Sequence, residues 1–246
     1  DFDKGLRAAQ AGDFEVALIE WMPLAEQGDA MAQFNLGIMY DFGYGVPEND
    51  KTAVMWYTKA AEQGYAKAQY NLGVMYDFGE GVLENDKTAL IWYTKAAEQG
   101  DADAQYNLGN RYNYGYGVPE NDKTAVMWFT KAAEQGHVLA QVNLGIMYEF
   151  GLGVLENDKT AVMWYTKAAE QGDAYAQYFL GFMYDYGEGV LTDYLRAYMW
   201  YNLSAYNGDK DGAQKKAKVA KKMTSADISK AQEMSSRCLE SGYTDC

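Results

Sequence analysis

The stretch YAKAQYNLGVMYDFGEGVLENDKTALIWYTKAAEQG, residues 65–100, decides the fold, because it occurs five times in succession with few changes. Each copy is 36 residues long, and nothing is inserted between copies. Gly28, Gly64, Gly100, Gly136, Gly172 and Gly208 mark the period. So do Leu36, Leu72, Leu108, Leu144 and Leu180, each followed by Gly and, three residues on, by Tyr40, Tyr76, Tyr112, Tyr148 and Tyr184. A period this strict specifies a stack of like units. Each unit contacts its neighbours and covers its apolar face only by stacking on them.

Residues 101–136 show how one unit is built. Ala104, Leu108 and Tyr112 share one helix face, which predicts a helix A over 101–114. Gly109 lets a neighbouring helix approach closely. Gly115-Tyr116-Gly117-Val118-Pro119 ends that helix and turns the chain back. Asn121 and Asp122 suit the N-cap of a helix B over 122–135, whose inner stripe is Ala125, Trp128, Ala132 and Ala133. Trp128 and Tyr112 are read as core residues.

The flanks depart from the columns. Residues 1–28 are a degenerate capping hairpin split at Gly12-Asp13, with Trp21 aligned to Tyr57 and Glu20 standing in the Trp56 column. Pro23 predicts a kink or a late helix start. Residues 29–208 are the five repeats. Residues 209–246 form a C-terminal cap: a lysine-rich solvated helix around Gln214–Met223, then a last helix capped by Thr224 or Ser225, with Ile228, Ala231, Met234 and Leu239 facing inward.

The pattern A-x-x-x-L-G-x-x-Y, then G-x-G-V, then A-x-x-W-Y-x-x-A-A-x-x-G resembles the Sel-1-like repeat (SLR), a relative of the tetratricopeptide repeat. The resemblance covers residues 29–208. It implies an all-α fold: a right-handed superhelical α-solenoid of antiparallel helix pairs, about seven hairpins here. It also implies a protein that holds other proteins on the concave surface lined by its A helices. Bacterial host-interaction factors and adaptors are among the family's members. Some members carry a cysteine pair in every repeat, and this chain does not.

Charge narrows the partners. The formal net charge is −14, with −16 on residues 1–208 and +2 on residues 209–246. An acidic surface repels phosphate backbones and anionic lipid, so nucleic acid is excluded as the expected partner and a protein or peptide is favoured. Solubility explains part of the acidity. No apolar run is long enough to cross a membrane. Cys238 and Cys246, eight residues apart, are the only cysteines; they are read as a disulfide, with two free thiols as the rival reading. The sequence begins at Asp1, so the expectation is a processed monomer, periplasmic or secreted, whose signal peptide has been removed.

No catalytic constellation is evident. His137 is the single histidine, no phosphate loop or nucleophile elbow occurs, and no cofactor or metal is expected. The oxygen-rich Glu48-Asn49-Asp50 type of cluster lacks the spacing of a calcium loop. The candidate ligand-binding residues lie on helix A outside the Leu-Gly-Tyr stripe. Asn35, Asn71, Asn107 and Asn143 form an amide column that could hold a peptide backbone or, alternatively, bond a neighbouring helix. Tyr70 and Tyr106 run beside it. The middle repeat also breaks three columns, with Asn110, Arg111 and Asn113 where other repeats carry Ile, Val or Phe, Met, and Asp or Glu. Arg111 is expected either to bind a partner's carboxylate or carbonyls, or to pair with an acidic neighbour in the chain. The chain is therefore expected to be a non-enzymatic interaction scaffold. Its rivals are an immunity or inhibitor protein, a host-interaction factor and, less favoured, a cell-wall hydrolase.

Overall fold

The computed structural model describes residues 1–246 as fourteen α-helices without a strand. They group into two compact units, residues 1–121 and 122–246. The first holds α1 (Phe2–Gln10), α2 (Phe14–Glu26), α3 (Ala30–Phe42), α4 (Asp50–Glu62), α5 (Ala66–Phe78), α6 (Asp86–Glu98) and α7 (Ala102–Tyr114). The second holds α8 (Asp122–Glu134), α9 (Val138–Glu149), α10 (Asp158–Ala169), α11 (Ala174–Tyr186), α12 (Tyr194–Tyr206), α13 (Lys210–Ala220) and α14 (Ser225–Glu240). From α1 to α7 and from α8 to α13 each helix packs on the next, so hairpin follows hairpin, and α14 packs back on α12.

The local chemistry explains the helix ends. Asn49 and Asn85 each accept the backbone N–H of the residue three positions on at 3.0 Å, and Asp193 does the same for α12 at 3.1 Å. Gly43 ends α3 in the left-handed conformation, at φ 68°. The second turn glycine is needed for space as well. A Cβ on Gly81 would strike the backbone of Asp50, and one on Gly117 would strike that of Asp86. Each A-to-B loop of the first unit thus lies directly on the start of the preceding helix B. Helix α2 does not start late: it begins at Phe14 and runs through Pro23. The carbonyl that Pro23 leaves without an N–H belongs to Ile19, an exposed residue, where water can serve it.

The deepest column is the residue after each Trp. Tyr57, Tyr93, Phe129, Tyr165 and Tyr201 are 0% exposed. The glycine after each core Leu makes room for these rings: a Cβ at Gly37, Gly73, Gly145 or Gly181 would enter the facing Tyr ring. Trp21 fills the same slot against Gly5, which is why it aligns with Tyr57. The Trp column lies nearer the surface, with the ammonium groups of Lys59, Lys95, Lys131 and Lys167 over its rings at 4.0–4.5 Å.

A buried glutamine column ties hairpin to hairpin. Gln33, Gln69 and Gln105 in the first unit donate to the carbonyls of Ala25, Ala61 and Ala97 at 2.9–3.0 Å. Gln63 and Gln99 in turn donate to the side-chain oxygens of Gln33 and Gln69 at 2.7 Å. In the second unit Asn207 donates to Gln177 at 2.9 Å, and its own oxygen accepts the Tyr243 hydroxyl at 2.9 Å. That bond anchors a C-terminal turn closed by the Cys238–Cys246 disulfide, whose Cα atoms are 4.6 Å apart. Thr224 caps α14 in a capping box with Asp227.

Candidate protein-binding face on the A helices

The asparagines of the expected amide column lie on α3, α5 and α7 of the first unit and on α9 of the second. Asn35, Asn71, Asn107 and Asn143 are all half-buried, as are Tyr70, Tyr106, Asn110 and Asn113. Two of the asparagines stand beside tyrosine hydroxyls. Asn71 lies near the Tyr57 hydroxyl, which donates to Asp41 Oδ2 at 3.0 Å, and Asn107 lies near the Tyr70 hydroxyl. An amide offers two donors and two acceptor sites, so each has bonding capacity to offer a ligand. Asn143 holds the equivalent repeat position on α9 of the second unit.

A Tyr–carboxylate pair recurs inside the hairpins of both units. Tyr57, Tyr93 and Tyr165 donate to Asp41, Asp77 and Glu149, at 3.0, 3.1 and 2.5 Å. Burial pushes these phenols well above the usual tyrosine range. Burial also raises the Asp41 and Glu149 carboxyls, against the lowering effect of the Tyr hydroxyl each accepts. The fifth repeat differs. Lys222 reaches Asp185 at 2.7 Å, and the buried Tyr201 hydroxyl has no partner.

Arg111 is not presented to an external ligand. It is 2% exposed, pairs with Asp77, and holds Asp86 Oδ1 at 2.9 Å. Its Nη1 also reaches the carbonyls of Asp86 and Tyr116, at 3.4 and 3.3 Å, and its guanidinium lies 5.3 Å from the Tyr93 ring centre. Burial acts to lower the Arg111 pKa, but the two carboxylates outweigh it and hold the group above its ordinary value. Of the two destinations the sequence offered, the guanidinium occupies the acidic neighbours. A ligand carboxylate would have to displace Asp77 and Asp86 from an almost fully covered site. Arg111 is therefore a brace between the second and third repeats, and Asn110 and Asn113 flank that brace.

The sequence reading missed three features: the Tyr–acid bond, the glutamine staple and an exposed aromatic row at the ends of the A helices. The first had a visible signal. The acid and the tyrosine stand 16 residues apart in four repeats, and in the third both change together, to Asn113 and Phe129.

These hairpins, stacked through small-residue contacts and turned by paired glycines, define a helical repeat protein of the kind that presents side chains from parallel rows. The chain belongs to the Sel1 repeat family: the family model matches residues 30–65, 66–101, 102–137, 138–173 and 174–209. Its fold is similar to that of a protective antigen present in uropathogenic Escherichia coli strains, which displays an SLR fold (40% identity, TM-score 0.85). That match covers 94% of this chain, and the chain spans half the length of the antigen. It is also similar to a Sel1 repeat protein from Oxalobacter formigenes, at 39% identity and TM-score 0.83, covering 87% of this chain and 88% of that one. No curated protein matches the chain. No helix is long and apolar enough to cross a membrane.

Proposed function

We propose that the chain is a non-enzymatic interaction scaffold that binds a protein or peptide on the A-helix face of its first unit. The observation that carries this reading is the row Asn35, Asn71 and Asn107, half-exposed on successive A helices, with Tyr70 and Tyr106 beside it. Amides at regular intervals can satisfy a backbone without reading its sequence, which suits an extended segment. Asn110 and Asn113 extend the row, and Arg111 stiffens it from inside. The single histidine supports a structural rather than a catalytic role, since His137 Nδ1 accepts the Ala140 N–H at 3.2 Å as a helix cap.

The disulfide is consistent with an oxidising compartment, and it supports a periplasmic or secreted location for a monomeric protein. The test is capture of partners from bacterial envelope and cytosolic extracts by the native chain and by Asn71→Ala/Asn107→Ala in parallel. A single abundant partner that the variant loses is the expected result. An identical set of partners on both proteins would remove the asparagine row from the binding site.

A further inference from the structure

The last residue of helix A in the first repeat, Phe42, heads a column that is aromatic in every copy: Phe42, Phe78, Tyr114, Phe150 and Tyr186. All five side chains are 55–70% exposed. Exposed columns of the repeat either drift, as Met31, Lys67, Asp103, Leu139 and Tyr175 do, or are kept polar, as Lys51, Lys87, Lys123 and Lys159 are. The Phe42 column is kept and apolar, with at most a partial ring contact such as Phe42 on Tyr44. An aromatic kept in solvent five times calls for a cause outside the stack.

In the first unit these aromatics lie on a continuous support. The loop after α5 rests on the start of α4, and the loop after α7 rests on the start of α6, through Gly81 and Gly117. Arg111 clamps the second of these contacts by holding Asp86 and the Tyr116 carbonyl together. Phe42 stacks on Tyr44, and Tyr114 lies against Tyr116, which widens the apolar strip; Leu83 projects at 90% exposure. The same loops, residues 41–50, 77–86 and 113–121, carry eight carboxylates and no lysine or arginine. Two of the eight, Asp77 and Asp86, are taken up by the buried Arg111, which leaves six carboxylates on these loops without an arginine.

We infer that this loop edge of the first unit, centred on Phe42, Phe78 and Tyr114, docks a cationic polypeptide segment with regularly spaced apolar side chains. Charge complementarity names the occupant. Lysine or arginine side chains answer the acidic loops and stack on the exposed rings, whereas phosphate and anionic lipid are repelled. Geometry sets the spacing. For aromatics about 10 Å apart, the spacing of packed helices, a polyproline II segment is the match: it advances about 3.1 Å per residue and returns to the same face every third residue, so one apolar side chain falls on each aromatic. The inference rests on the reading of the chain as a binder of proteins, and it names a surface distinct from the asparagine row.

The test uses three fluorescein-labelled peptides, each of four triplets: Lys-Leu-Gly, Glu-Leu-Gly and Lys-Ser-Gly. Fluorescence anisotropy is followed against the full chain. Lys-Leu-Gly should bind, and the other two should bind at least about tenfold more weakly. Raising salt from about 0.05 M to 0.5 M should weaken binding severalfold. Phe42→Ser/Phe78→Ser/Tyr114→Ser, which alters only exposed side chains, should keep its helicity by circular dichroism and lose about tenfold in affinity. Asn71→Ala/Asn107→Ala should bind the peptide as the native chain does. No binding of Lys-Leu-Gly, or equal binding by the triple variant, overturns the inference. So does co-sedimentation of the chain with anionic vesicles that the triple variant abolishes. If the triple variant keeps both peptide and captured partners while the asparagine variant loses the partners, the edge fails and the scaffold reading stands. If peptide binding follows the aromatics but no extract yields a partner dependent on Asn71 and Asn107, the asparagine row fails and the edge stands.

Discussion

Met75 and Arg111 occupy the same place in consecutive repeats, on α5 and α7, and both are buried, at 1% and 2% exposure. One is apolar and the other charged, yet the helices around them are built alike. The slot therefore selects a long unbranched side chain and leaves its polarity to what lies opposite. Opposite Arg111 lie Asp77 and Asp86, and both are acids at positions that are acidic in most repeats. A single change from Met to Arg thus converts an apolar contact into an ion-paired brace, using carboxylates the repeat already carried. A buried charge is tolerated only where partners meet it, so the third repeat can adopt Arg because the second supplies two acids.

The largest expected effect tests the wall behind both slots. Gly73→Val would push into the Tyr93 ring, displacing a fully buried residue, its bond to Asp77 and the face beside Arg111. A loss of about 3 kcal/mol or more is expected, read from the urea midpoint. Gly37→Val, against Tyr57, should cost a similar amount, although no arginine lies there. A large difference between the two would show that the ion pair, not ring packing, dominates. Next comes the slot itself. Arg111→Ala should cost about 2–3 kcal/mol, because it leaves a cavity and two carboxylates without their cation. Arg111→Met should cost less than about 1 kcal/mol, since Met75 fits the equivalent place. If Met proved as costly as Ala, the charge rather than the shape would be holding the third repeat.

A smaller effect is expected at the hydroxyls. Tyr93→Phe and Tyr57→Phe should each cost about 1 kcal/mol, with Phe129 in the same column as the natural precedent. Thermal unfolding of the two variants would rank the bonds; no shift in either would leave the Tyr–acid row without a stabilising role.

These contrasts also show what the sequence made legible. The period, the glycine turns and the Asn caps are local, and each could be read where it stands. The fate of Arg111 could not, because its partners are 34 and 25 residues away and a helix-face arginine is ordinarily solvated. Likewise Trp reads as the core residue by size, but Tyr lies deeper because each Tyr faces a glycine on the paired helix, a pairing that crosses the hairpin. The glutamine staple joins side chains 30 residues apart, and its buried half looks in sequence like any polar helix residue. The asparagine row and the aromatic edge were unequally visible. The first stood out by residue type, while the second required knowing that its column faces solvent.

The smallest effect is a pH dependence that separates the two kinds of acid. Asp41 lies where burial raises its pKa above the ordinary 3.8, and Glu48 and Asp50 raise it further, against the lowering by the Tyr57 hydroxyl. The folded chain therefore binds a proton at Asp41 more tightly than the unfolded chain does. The stabilisation from that proton is complete below about pH 3.8 and is lost as pH rises through the raised value; above it the ionised carboxylate carries a constant cost. Asp41→Asn removes this term, so its stability relative to the native chain should rise across that window and level off towards neutral pH. Solvent access limits the amplitude to well under about 1 kcal/mol. Asp77→Asn should act in the opposite sense at neutral pH, because it takes a carboxylate from the buried Arg111. Denaturant unfolding of both variants between about pH 3 and pH 7 distinguishes the cases. If Asp41→Asn destabilised as Asp77→Asn does, the acid beneath Tyr57 would be acting as a charge partner, and the division between the apolar and the braced repeat would not hold.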